Sequence, residues 1–125
     1  MPDGVNPVQW FEIPVEDMER AKTFYENVFG FELKVVPLGE FTMAWFPWVQ
    51  GARGSAGTLV KANGYVPSHS GSMVYFGVED IMATLANVEE NGGKILRQKM
   101  SIGEFGFVGH FQDSEGNRVA LHSIK

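Results

Sequence analysis

From Val8 to Pro14 apolar and polar residues alternate, so that Gln9, Phe11 and Ile13 share one face while Val8, Trp10 and Glu12 share the other. A period of two predicts a strand, with Phe11 and Ile13 on its buried side. The period then changes. Met18, Ala21, Phe24, Tyr25 and Val28 recur at three- and four-residue spacing and predict an amphipathic helix. Asp17 has the short acceptor side chain of an N-cap, Glu19 suits the positive helix start, and Gly30 supplies the C-cap. Phe31 to Val36 reads as a second strand with Phe31, Leu33 and Val35 inward. Pro37-Leu38-Gly39 turns the chain into a third, Phe41 to Trp48, and a loop at Gly51 to Ser55 leads to a fourth near Gly57 to Lys61.

The pattern then repeats. Residues 62–72 have linker composition, after which Met73 to Val78 reads as a strand, Asp80 as a cap, and Ile81, Leu85 and Val88 as a helix stripe ending at Gly92-Gly93. Ile95-Leu96, Phe105 to Gln112 and Asn117 to Ser123 read as strands. A shift of 63 lays Val15-Glu16-Asp17 on Val78-Glu79-Asp80 and Gly30 on Gly93; a shift of 64 lays Gly39-Glu40-Phe41 on Gly103-Glu104-Phe105. Self-similarity at a fixed period outranks local propensity as a fold signal. The expectation is one α+β domain of two tandem βαβββ modules, about 5–61 and 73–125. Helices on one face of each four-stranded sheet leave the other face to curl round a cavity.

Composition narrows the chemistry. Net charge is −5, with 10 Lys+Arg against 15 Asp+Glu and no basic run, which argues against nucleic acid or an anionic membrane as partner. Cysteine is absent, which excludes disulfides, zinc-thiolate sites and thiol nucleophiles. Met1-Pro2-Asp3-Gly4 lacks the charged and apolar regions of a secretory signal, and no apolar run reaches the length of a membrane span, so a cytoplasmic protein is expected.

Three segments carry a resemblance. Ile13 to Ala21 followed by Phe24-Tyr25 and Val28-Phe29-Gly30-Phe31, then Val78-Glu79-Asp80-Ile81 with Asn91-Gly92-Gly93-Lys94, and finally Phe111 to Asn117 together resemble the vicinal-oxygen-chelate superfamily. That superfamily includes glyoxalase I, bleomycin-resistance proteins and extradiol dioxygenases, and Trp10 to Val15 resembles its glyoxalase-like branch. The resemblance implies a homodimer with cavities between subunits. It also implies metal ligands on the first and last strand of each half, and these fall on Trp10, Leu59 (or Val60), Met73 and Ala120. Such side chains offer a divalent cation neither carboxylate nor imidazole, so no cofactor is expected.

Strand parity assigns a cavity lining independently of the family. A three-residue loop at 114–116 places 112 opposite 118 and 110 opposite 120, turning Val108, His110, Gln112, Ala120 and His122 to the open face. Trp10, Glu12, Met73 and Tyr75 join them by alternation; the shift of 64 adds Ala44, Phe46 and Trp48. An aromatic pocket with few polar groups is the usual make-up of a small-molecule site. Glu12 and His122 are its candidate proton-transfer groups, and Trp10, Phe46, Trp48, Met73, Tyr75, Val108, His110 and Ala120 its candidate ligand contacts. The leading expectation is therefore a metal-independent binder of, or enzyme for, a small, partly apolar or aromatic molecule. Members that take cationic drugs favour an acidic cleft, which the net charge would suit. One alternative is a metal-dependent lyase, isomerase or dioxygenase using displaced ligands Glu12, His110 and His122; another is an accessory protein-interaction domain.

Overall fold

The computed structural model describes Gly4 and residues 6–125. Met1–Asp3, part of the opening stretch read above for a secretory signal, and Val5, where the first module was expected to begin, lie outside the described residues. The first half runs β1 (Trp10–Pro14), α1 (Met18–Phe29), β2 (Lys34–Leu38), β3 (Phe41–Trp45) and β4 (Ala56–Lys61). The second runs β5 (Tyr75–Gly77), α2 (Ile81–Glu90), β6 (Lys94–Ser101), a 3-10 turn (Gly103–Phe105), β7 (Phe107–Gln112) and β8 (Arg118–Ser123). Each half makes a four-stranded mixed sheet, ordered β1-β4-β3-β2 and β5-β8-β7-β6, with the first strand parallel to the last. Neither closes into a barrel. Among the described residues no helix is long and apolar enough to cross a membrane.

Local chemistry sets these boundaries. Asp17 accepts a hydrogen bond from the Arg20 amide at 3.0 Å, Asp80 does the same for Ala83, and Gly30 closes α1 at φ 78°. β3 stops at Trp45 rather than Trp48, because Pro47 has no N–H to offer the ladder. β2 extends through Pro37, which its edge position tolerates. Val35 is exposed there, while Leu33 reaches the core from just before the strand. β6 is longer than Ile95-Leu96, and a 3-10 turn replaces the expected strand start at Phe105.

One core joins the halves. Phe24, Tyr25 and Val28 of α1, Leu85 and Val88 of α2, and Leu59, Phe111 and Leu121 from the sheets belong to a single buried cluster. Complete burial of a side chain such as Phe24 contributes roughly 1.5–3 kcal/mol. Phe11 and Phe76 meet edge to face across the junction, centroids 5.8 Å apart.

The closing hairpin is tied polar-fashion to the first half. Asp113 accepts from Tyr25 Oη at 2.7 Å, and Asn117 Nδ2 donates to the Pro14 carbonyl at 2.7 Å. The enclosed Glu115 carboxylate accepts from the backbone N–H groups of Glu16 (2.9 Å) and Asp17 (2.8 Å), and pairs with Arg20 at 2.7 Å. Burial pushes this carboxyl upward, but hydrogen bonds from Arg20, the Asp17 amide, Ser114 and the Glu16 amide hold it below the usual range. At Asp113 burial prevails over its donors and the carboxyl lies above its ordinary value.

Candidate functional site

The hairpin register pairs Gln112 with Arg118, His110 with Ala120 and Val108 with His122, while β5 sets Tyr75 beside Ala120. Core residues Phe111, Val119 and Leu121 occupy the intervening positions, so the alternate set faces away from the helices. On that face Tyr75, Gly77, Arg97, Met100, Ile102, Val108, His110 and His122 line a cavity of about 670 Å³. Ala120 is fully buried between Tyr75 and His110.

The two imidazoles are differently held. Arg118 presents Nε and Nη2 to His110 Nδ1 at 3.2 and 2.8 Å. A guanidinium only donates, so Nδ1 is the acceptor and the proton sits on Nε2. Burial, then the charges of Arg118 and Arg97, hold His110 below its ordinary pKa and keep it neutral. The Tyr75 ring stands edge to face with it at 6.1 Å. His122 Nε2 lies 2.7 Å from the Phe105 carbonyl, an acceptor, so Nε2–H donates and Nδ1 is the free nitrogen.

Other expected site residues lie elsewhere. Trp10 packs edge to face on Trp45 at 5.3 Å on the open face of the first sheet. Glu12 is exposed, accepts from Tyr65 Oη at 3.5 Å, and borders a cavity of about 100 Å³ with Ser68, Ser70 and Arg118. Met73 precedes β5 and does not line the cavity of the second sheet. Phe46 and Ala44 are in the core, and Trp48 is exposed in the loop after β3. The register explains this displacement. Ala44 pairs with Leu59 as Gly109 pairs with Leu121, and Trp45 with Thr58 as His110 with Ala120. The third strands therefore correspond at a shift of 65 and the last strands at 62, because the first module's loop between them is longer. A uniform shift of 64 puts β3 out by one residue, which inverts its faces. Trp45, not Phe46, stands where the second module has His110. His69, in the linker, bonds Gln112 at 2.8 Å.

Arg97, Met100 and Ile102 are cavity residues that parity did not supply. β6 is irregular between Ile95 and Arg97 and again between Arg97 and Met100. Each irregularity breaks the alternation on which such reading rests.

At the positions where a metal would be held, Leu59 is in the core, Ala120 is buried, Trp10 is packed on Trp45 and Met73 offers a thioether. This donor set does not fit a hard or borderline divalent cation. The displaced set fares no better within one chain: His110 and His122 share the cavity and Glu12 does not. Among the described residues no three His, Cys, Asp or Glu side chains are grouped to hold a metal.

Residues 7–121 match the profile of the Glyoxalase/Bleomycin resistance protein/Dioxygenase superfamily. The chain belongs to this superfamily. Within it, a glyoxylase-like domain-containing protein of Didymella fabae is 33% identical over 121 residues, covering 91% of each chain. A point mutant of glyoxalase I from Zea mays superposes with a TM-score of 0.73 at 25% identity, covering 94% of this chain and 47% of that one. The chain thus spans about half the length of the maize enzyme. The antibiotic-binding protein TnmS3 of Streptomyces sp. CB03234 superposes with a TM-score of 0.67 at 25% identity, covering 96% of this chain and 97% of its own.

Proposed function

We propose that this superfamily member binds a small, partly apolar or aromatic molecule on the open face of its second sheet, without the superfamily's metal. The observation that carries the reading is the 670 Å³ cavity, walled by Tyr75, Met100, Ile102 and Val108, on a scaffold whose metal positions hold Trp, Leu, Met and Ala. Apolar walls with few polar groups suit such a ligand. The full-length likeness to an antibiotic-binding protein supports a binding role. A lyase or isomerase reading draws on the name of the maize enzyme, but needs donors that the described residues do not group.

Elemental analysis of the purified protein and a Glu12→Gln variant is the deciding measurement, paired with titration of the neutral fluorophore N-phenyl-1-naphthylamine. No stoichiometric metal and saturable uptake of the fluorophore are expected. A stoichiometric divalent metal that falls in the variant overturns the reading in favour of the displaced-ligand enzyme.

The chain also works as a homodimer on this reading. Trp10 and Trp45 form an exposed aromatic pair on the first sheet's open face, of the sort that marks an association surface. Sedimentation equilibrium is expected to give twice the chain mass, and Trp45→Glu to return the monomer; a monomeric wild type refutes it.

A further inference from the structure

The chain is acidic overall, yet the cavity of the second sheet is not. Its charged and titratable lining is Arg97, His110, His122 and the Tyr75 phenol, with no carboxylate among the described residues that line it. Among the described residues Arg97 has no carboxylate within 4 Å, and its one side-chain hydrogen bond is a long 3.5 Å approach to Met100 Sδ. Arg118, behind His110, likewise lacks a carboxylate partner and gives its hydrogen bonds to the imidazole instead. Directing two donors onto Nδ1 fixes the tautomer, so Nε2–H is the donor left over, and among the described residues no group accepts from it. Here the exposed Arg97 guanidinium and the His110 imidazole N–H line one apolar-walled cavity that, among the described residues, holds no carboxylate.

We propose that the ligand of this cavity is an anion: an apolar or aromatic body carrying a carboxylate, sulfonate or phosphate, its oxygens held by Arg97 and His110 Nε2–H and its body against Tyr75 and Val108. This rests on the small-molecule reading above and names its substrate class. Arg118 acts as a positioning residue, holding the imidazole with Nε2–H outward. Planar guanidinium donors match an oxyanion, and charge-assisted bonds are the stronger kind. The cluster thus supplies the positive field that the superfamily otherwise obtains from its metal, opposite in sign to what the net charge of −5 suggests.

The test compares two probes of similar shape, anionic 8-anilino-1-naphthalenesulfonate and neutral N-phenyl-1-naphthylamine, titrated by fluorescence into the full chain. The sulfonate is expected to bind about tenfold or more tightly, the fold-change of one charge-assisted hydrogen bond. Arg97→Gln is expected to abolish that preference. Met100→Glu, at an exposed cavity residue, reverses the preference and keeps the question answerable should the arginine variant not fold. Equal affinity for both probes in the wild type, or a preference that survives Arg97→Gln, overturns the anion and leaves the binding function standing. Saturable binding of neither probe overturns both.

Discussion

At the scale of the residue, His110 and Trp45 show how one register position serves two ends. Both stand opposite the last strand of their sheet on the open face, one beside Ala120 and one beside Thr58. The first module fills the position with a ring that covers its own sheet, leaving the Thr58 hydroxyl buried without a partner. The second fills it with an imidazole addressed by an arginine. Because Arg118 and Arg97 both push His110 downward, Arg118→Ala is expected to raise its pKa toward the ordinary histidine value. An NMR titration of the imidazole protons reads this directly. The sign is fixed by charge: removing a nearby cation makes the imidazolium easier to form. An unmoved titration would mean that burial alone holds it down.

At the scale of the element, both helices and the strand count were legible because they rest on period and caps. Asp17 and Asp80 cap as their spacing demands, and the last hairpin has the register that a three-residue loop requires. Half of the cavity wall was legible for the same reason, since Tyr75, Val108, His110 and His122 follow from that hairpin and one parallel neighbour. The rest was lost where the period fails. The third strands correspond at a shift of 65 rather than 64, which turns Phe46 to the core, and two irregularities in β6 hid Arg97 and Met100. Parity is exact within a regular strand and carries no information across a bulge or an unequal loop.

At the scale of the whole molecule, the two halves are held by an apolar core and by the carboxylates of the closing hairpin. Glu115, with its folded-state pKa depressed, binds its proton less readily than in the unfolded chain. Its contribution is complete above the ordinary glutamate range and is lost as pH falls through the depressed value. Asp113 works the other way, its raised carboxyl disfavouring the folded state as pH rises through its range. Glu115→Gln is therefore expected to cost about 1.5–3 kcal/mol at pH 7, the scale of charge-assisted hydrogen bonds. The deficit should shrink as wild type itself protonates in acid. Urea unfolding at pH 7 and pH 3 checks both parts, and a deficit that is the same at the two values refutes the assignment.

The same carboxylate has a consequence for biosynthesis. The amides of Glu16 and Asp17, at the threshold of the first helix, find their acceptor 99 and 98 residues later. While the chain is still on the ribosome, the amino-terminal half presents that helix start to water, together with the surface of Phe24 and Tyr25 that Phe111 and Asp113 later cover. Two modules of like design therefore share contacts in the folded state that neither makes alone. The first is completed only once residue 115 has emerged, which ties the birth of the fold to its last hairpin.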